Sequence, residues 1–354
     1  MAMNITIKEV AREAGVSVAT VSRVFTGSVP VQTETRRRVL EVATRLNYQP
    51  HAGARSLTTR KTGVLGVLLP NLYGEFFSEV IRGIDLTARR AGYHVFLSSS
   101  HSDRTEVEAV LRNLRGRVDG LIVMSPEADA QALQANLPPA LPVVLLNCEV
   151  QGSAFSSINI DNHGGAYAMT RHLIGLGHRR IAFLQGARGN YDARERLRGF
   201  RGALRESGLE GGIEIPGDFS EEAGCRAAAE ILGLDPRPTA VFAANDSMAI
   251  GLLSALQEAG VRVPADIAVT GFDDIPIARF LSPPLTTVGV RIAGLGERAI
   301  DRLLSHLDGS AGESREPRRH EILTTTLVVR GSCGGGLSAR EPKELKDFIQ
   351  GGKV

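Results

Sequence analysis

Tryptophan is absent from this 354-residue chain, and only five tyrosines and twelve phenylalanines remain to supply aromatic surface. Any ring that stacks on a sugar or a base must therefore be a Phe or a Tyr. Cysteine is nearly as scarce. Cys148, Cys225 and Cys333 lie far apart, form no CxxC and have no His at ligand spacing, which argues against a disulfide framework or a zinc site and points to a reduced compartment. Apolar runs such as VLGVLL fall far short of the roughly 20 residues that span a bilayer. Lys8, Glu9, Arg12 and Glu13 interrupt the stretch where a secretory leader would need its apolar core. The expectation is a cytoplasmic protein without membrane contact.

Net charge is also small, +2, but it is unevenly placed. Residues 1–62 carry ten Lys and Arg against four Glu, a balance of +6, leaving −4 for the remainder (31 basic, 35 acidic). A small basic module on a mildly acidic body points to a polyanionic partner at one end, and charge by itself leaves nucleic acid and an anionic membrane surface both open.

What is present near the start is helical periodicity. Ile7, Val10, Ala11 and Ala14 repeat at i, i+3, i+4, i+7, and Thr6 precedes Glu9 by three residues as in a capping box. Gly15 breaks that helix, Ser17 can cap the next, and Val21, Val24 and Phe25 form its inward face. A third helix places Val39, Val42, Ala43 and Leu46 inward and Arg37, Arg38, Glu41 and Arg45 outward. Three short helices with a tight Gly turn between the first two predict a helix-turn-helix. On the second helix Ala19 and Arg23 fall opposite the core face and Val18 flanks them.

From residue 63 apolar runs of strand length alternate with helical segments: VLGVLLP, HVFLSSS, DGLIVMS, PVVLLN, then RIAFLQG, AVFAAND and IAVTGFDD. Several end in Asn, Asp, Ser or Gly, as buried parallel strands do where ligand groups sit at their carboxyl ends. Two series of similar size predict two doubly wound α/β lobes with a small-molecule cleft between them. Asp246 is expected to cap the helix SMAIGLLSAL. The Gly-rich, then charged, end of the chain is expected to be loosely ordered.

TIKEVAREAGVSVATVSRVFTGS, NYQPHAGARSL, GVLGVLLPN with FFSEVIRGI, HLIGLGHRRIAFL, RLRGF, AANDSMAIG, GFDDI and PPLTTV, in that order, resemble the lactose/galactose repressor (LacI/GalR) family of bacterial transcription regulators over residues 6 to about 332. The resemblance implies an α/β protein with an N-terminal helix-turn-helix headpiece (1–49), a hinge helix and linker (50–62), and a two-lobed sensor body like that of periplasmic binding proteins. Its N-terminal lobe would take 63–161 and 291–320, its C-terminal lobe 162–290 and 321–332, and a tail 333–354.

The helix-turn-helix context places α-helical residues 18–23 in a major groove, with Arg23 on guanine O6 and N7 and Val18 and Ala19 in apolar contact. Ser17, Thr20 and Ser22 would bond phosphates. The family resemblance further implies half-sites of AA-N-CG character about a central CpG, and a hinge helix carrying Ala54 and Leu57, with Leu57 wedged into the minor groove. Gly53 lies inside that hinge, where glycine costs about 1 kcal/mol relative to alanine. Arg36, Arg37 and Arg38 read equally as solubility charges or phosphate clamps. For the effector, the resemblance implies Asn71, Phe76, Phe77, Asp161, Arg196, Phe219, Asn245 and Asp273, with Arg196 as a fork for sugar hydroxyls, a carboxylate or a phosphate. Phe76 and Phe77 read equally well as core residues. A sugar or sugar derivative is expected ahead of a purine.

Two rival classes remain to be weighed. An α/β enzyme would need its own motif, but GxxxxGK[ST], GxSxG and HExxH are missing, and GLGERA at 294–299 follows no strand. A cytoplasmic or secreted binding protein without a DNA role does not account for the basic headpiece. The expected partners are a double-stranded DNA operator, a small-molecule effector and a second copy of the chain. The tail lacks a leucine heptad, so a homodimer is expected. No cofactor, metal or catalytic residue is expected.

Overall fold

A computed structural model describes residues 5–26, 29–48, 61–101, 103–114, 116–126, 137, 141–148, 155–209, 211–308 and 320–335. Residues 1–64 with 116–119 form one compact unit, and the rest of the chain forms another.

The first unit holds α1 (Ile7–Glu13), α2 (Val18–Thr26) and α3 (Thr33–Arg45). The Thr6 backbone N–H donates to the Glu9 carboxylate at 2.7 Å, closing the reciprocal cap that starts α1 and holding Glu9 below the usual carboxylate range. Gly15 takes φ +63°, a left-handed turn that a side chain would strain, and redirects the chain into α2. Val10, Ala11, Ala14, Val21, Val24, Val39, Val42 and Ala43 pack as one core, with Phe25 and Tyr48 edge to face at its rim, 5.8 Å between centroids. At the other end of this unit the Asp119 carboxylate accepts from the Thr62 N–H (2.6 Å), the Thr62 hydroxyl (2.9 Å) and the Gly63 N–H (2.8 Å).

The body begins with β1 (Val64–Leu69), α4 (Glu75–Arg90), β2 (His94–Ser99), α5 (Arg104–Leu114), β3 (Gly120–Met124), β4 (Val143–Leu146) and β5 (Ser156–Ile160). It continues through α6 (Asn162–Gly175), β6 (Ile181–Leu184), α7 (Tyr191–Glu206), β7 (Ile213–Ile215), α8 (Glu221–Gly233), β8 (Ala240–Ala243), α9 (Asp246–Glu258), β9 (Ala268–Asp273), a 3₁₀ turn (Pro276–Phe280) and β10 (Thr286–Gly289). It closes with α10 (Ile292–Asp308), β11 (His320–Leu323) and β12 (Thr326–Val328). One sheet has the order β11-β5-β4-β3-β1-β2 and the other β12-β10-β9-β8-β6-β7. The β10–β12 pair is antiparallel, and the other described pairings are parallel. Each strand of β3, β4, β8 and β9 is buried along its whole length, which is why these segments read as unbroken apolar runs rather than as alternating ones.

One expected boundary is corrected. The resemblance puts residues 321–323 in the C-terminal lobe, but His320–Leu323 pairs with β5 in register from His320↔Ser157 to Leu323↔Ile160. The third crossover therefore falls at residues 324–325, just before β12 joins β10.

Helices pair on these sheets through glycines. A methyl group on Gly251 of α9 would overlap the Glu221 carbonyl of α8, and one on Gly224 of α8 would overlap that of Met248. Gly251→Ala is expected to destabilise the body by about 1–3 kcal/mol, the usual cost of overpacking against backbone that cannot yield. Denaturant unfolding of the full chain checks this, and an unchanged midpoint would mean that the two helices are free to separate.

Candidate functional site

Two surfaces combine buried support with unclaimed chemistry. The first is α2. Ser17 Oγ accepts the Thr20 N–H at 3.1 Å and shares a 2.9 Å hydrogen bond with the Thr20 hydroxyl, so Ser17 is the N-cap of this helix. Val21 and Val24 are buried, while Val18, Ala19 and Arg23 are exposed on the opposite side, and Ser22 is half-buried. Arg23 thus projects from a helix whose other face is anchored in the core. On α3 the Arg37 guanidinium bonds Glu34 and Glu41, both at 2.6 Å, so this arginine is held along its own helix. Residues 49–60, with the expected hinge positions Ala54 and Leu57 and with Gly53, lie outside the described residues, as does the tail beyond 335.

The second surface is in the body, where several strands end. Arg196 on α7 is only 3% exposed. Its Nε donates to Asn162 Oδ1 at 2.8 Å, Nη1 donates to the Ala244 carbonyl, and Nη2 lies 3.1 Å from Asp273 Oδ1. Phe272 sits against the guanidinium, with Cζ 3.7 Å from the ring centroid, and the Phe219 centroid is 5.9 Å away. Asp273 ends β9 at φ 118°, a left-handed conformation that costs an L-residue on the order of 1–3 kcal/mol. Its Oδ1 is buried, and although the guanidinium is near, no aligned hydrogen-bond donor reaches it among the described residues. Burial pushes the Asp273 carboxyl up to about 6 against the opposing pull of Arg196.

Of the expected effector residues, the structure brings together Arg196, Asp273, Phe219 and Asn245. Asn245 Nδ2 donates to the Phe219 carbonyl at 3.0 Å, and its Oδ1 accepts the Met248 N–H at 3.0 Å. Asn245 is thus the cap of α9, which corrects the expected role of Asp246. Asp246 is fully buried instead, taking the Thr287 hydroxyl at 2.6 Å and the Ile275 N–H at 3.0 Å. Four expected residues have other roles. Asn71 is exposed and folds its oxygen back onto the Leu72 and Tyr73 N–H groups (2.7 and 3.0 Å), and Asp161 caps α6 through the Gly164 N–H. Phe76 and Phe77 meet edge to face at 5.4 Å, half-buried against the core.

Three residues join the cluster that were not anticipated. Asn162 bonds both Arg196 and, through Nδ2 at 2.8 Å, Asp192. Asp192 on α7 is 8% exposed, and burial pushes its carboxyl up to about 7 despite Arg196 one turn further on. Asn147, 1% exposed at φ 48° after β4, meets the Asp192 carboxyl from the first lobe, and its amide finds no other partner among the described residues. The signals were present: Asn147 ends the run PVVLLN, and Asp192 stands four residues before Arg196, on the same helix face.

Comparison with known proteins follows this division. A family model described as bacterial regulatory proteins, lacI family, matches residues 6–51, and one described as a periplasmic binding protein-like domain matches 170–333. The HTH-type transcriptional repressor PurR of Photobacterium profundum is 37% identical over 331 residues, spanning 92% of this chain and 98% of that protein. The ribose operon repressor of Haemophilus influenzae is 34% identical over 330 residues, again 92% and 98%. The crystal structure of a Lac repressor dimer bound to operator and the anti-inducer ONPF superposes with a TM-score of 0.83 at 32% identity, covering 93% of this chain and 99% of that one.

The Asp192 carboxyl makes stability depend on pH. Its folded pKa near 7 lies above the ordinary aspartate value, so between about pH 4 and 7 the unfolded chain releases a proton that the fold retains, and stability falls as pH rises through that window. Asp192→Asn removes this loss. The variant is expected to melt higher than the parent near pH 8, with the gap closing steadily toward pH 4 in a series of thermal melts. A gap that does not change with pH would show that the carboxyl keeps its ordinary pKa.

Proposed function

Because the chain belongs to the lacI family of bacterial regulatory proteins, we propose that it is a transcriptional repressor that binds a palindromic operator as a homodimer and responds to a small effector in the body. The observation that carries this reading is α2. A basic three-helix unit with a satisfied core presents Val18, Ala19 and Arg23 outward, and an arginine so placed can donate bidentately to guanine O6 and N7 in a major groove. Thr20, Ser22 and the capping Ser17 stand beside phosphates and fix the register, and Ala54 and Leu57 of the linker enter the minor groove.

The second copy is supported by apolar surface on the first lobe. β2 is the edge strand of its sheet, Phe96 and Leu97 on it are exposed, and Leu86 of α4 is exposed on the same lobe. An open apolar edge of this kind favours pairing with another chain. In the body, Arg196, Asp273, Asn245 and Phe219 are the effector contacts, with Asn71, Phe76, Phe77 and Asp161 shaping the lobe ends around them. Carboxylates and amides in excess of cations suit hydroxyl donors, which favours a sugar or sugar derivative over a purine, and a relative is named for the ribose operon. No described helix is long and apolar enough to cross a membrane. A repressor of this kind works in the cytoplasm, on the nucleoid when bound to its operator.

Arg23→Ala is expected to weaken binding to an operator recovered by in vitro selection by about 1–3 kcal/mol, with binding to random duplex nearly unchanged. Equal losses on both duplexes, measured by fluorescence anisotropy at one salt concentration, would reduce Arg23 to a phosphate contact. Asp273→Ala is expected to leave operator binding intact and abolish its response to effector. A normal response would move the effector site elsewhere.

A further inference from the structure

Carboxylates outnumber cations in the cluster where the two sheets face each other. Asp192 and Asp273 are both more than nine-tenths buried, and Arg196 is the one buried cation that meets them among the described residues. That guanidinium is already engaged by Asn162, the Ala244 carbonyl and Asp273, and lies against Phe272. The other groups around it do not restore the balance. Asp246 on α9 adds a third buried acid near Asp273, while Asp274 and Arg330 neutralise each other at 2.7 Å. Facing Asp192 are Asn162 from α6, Asn147 from the end of β4, and Arg196 and Asp273.

An independent observation points to a ligand here. The Asn147 amide, almost completely buried, has the Asp192 carboxyl beside it and no other partner among the described residues, and Asp273 Oδ1, with Arg196 Nη2 at 3.1 Å, accepts no aligned hydrogen bond. Orphaned polar atoms of this kind are rare in folded proteins because each forfeits its bonds to water, and an incoming group that completes them recovers that loss. Tyr191, beside Asp192, donates its N–H to the Pro126 carbonyl of the first lobe at 3.1 Å, so a ligand held by Asn147 and Asp192 together would touch both lobes.

We propose that the cleft selects an amine-bearing ligand of sugar size, its ammonium on Asp192 and its hydroxyls on Asn147 and Asp273, and that it excludes phosphorylated and carboxylated ligands. An anion would add charge of the same sign to a buried acidic cluster whose cation is already committed, whereas an ammonium supplies the missing counter-charge and three donors. This rests on the reading of the cleft as the effector site.

The test is thermal melting of the full chain near pH 8 with glucosamine, glucose, glucose 6-phosphate or glucuronate, each at the same millimolar concentration. Glucosamine is expected to raise the melting temperature at least about 2 °C more than glucose, the two anions are expected not to raise it, and Asp192→Asn is expected to erase the advantage of glucosamine. Equal shifts, a larger shift with either anion, or no shift with any probe overturns the proposal. Phe219→Ala separates this failure from failure of the site itself. An anion-favouring shift that Phe219→Ala removes overturns the charge preference and leaves the cleft as the effector site, while any shift that Phe219→Ala leaves unchanged places binding elsewhere and overturns both.

Discussion

The buried guanidinium of Arg196 is the constraint on which the second lobe is organised. It ties α7 to α6 through Asn162, to the β8–α9 junction through the Ala244 carbonyl, and to the end of β9 through Asp273. Each of these is the carboxyl end of a strand or the first turns of a helix, so one side chain sets the spacing of the elements around the buried acidic cluster. A charge so deeply buried is tolerated only when it is paired and hydrogen-bonded, and removing one partner of such a group typically costs about 3–5 kcal/mol because the other is left uncompensated. Here the imbalance is already present in the fold: Asp192 and Asp273 share one cation, Asp246 stands beside Asp273 without it, and burial raises all three carboxyls.

The headpiece solves the opposite problem. Its polar groups are on the outside and weakly held, since exposed pairs such as Arg37 with Glu34 and Glu41 contribute little to stability. Stability comes instead from a small aliphatic core, with Val10, Val21 and Val39 fully buried, one from each helix. The consequence for recognition is direct. Because the core face of α2 is fixed, the exposed side can carry residues chosen for DNA contact alone without disturbing the fold.

How far the sequence could be read depended on whether the decisive partner was local. The headpiece helices were legible because the Thr6–Glu9 cap and the i, i+3, i+4 apolar spacing lie within single turns. The apolar strands were legible for the same reason. β5 and β10 were not, because most of their buried positions are polar: Ser156, Ser157, Asn159, Thr286 and Thr287, against Ile158, Ile160 and Val288. Those side chains are satisfied by residues distant in sequence, such as His320 for Ser157 at 2.8 Å and Asp246 for Thr287 at 2.6 Å. The same distance effect reversed Asn245 and Asp246. Both are good caps by composition, and it is Thr287, 41 residues away, that draws Asp246 inward and leaves the cap to Asn245. In the candidate site, Arg196, Asp273, Phe219 and Asn245 are reached through motif resemblance, whereas for Asn147 and Asp192 the local pattern gives only position, a strand end and one helix face, and their raised or unmatched character comes from burial that the pattern does not record.

Burial also suggests how a ligand could be felt beyond its contacts. The chain passes between the sheets three times, and Asp273 stands at one passage: its carbonyl accepts the Val290 N–H at 3.2 Å where β10 leads into α10. Its Oδ1 meanwhile lies 3.1 Å from Arg196 Nη2 without an aligned hydrogen bond, and its backbone is held in a left-handed conformation. A second clasp lies nearby, where the Glu75 carboxylate of the first lobe accepts the Ile277 N–H of the second at 2.9 Å, four residues beyond Asp273. On the proposed reading of the site, a ligand bond to Asp273 acts on a residue that belongs at once to the effector contacts, a strained turn and a lobe crossover. The coupling free energies that govern allosteric regulators are typically about 1–3 kcal/mol, and a single hydrogen bond to a charged group contributes about 1.5–3 kcal/mol. One such bond, gained or lost at Asp273, is of the magnitude needed to shift the lobes.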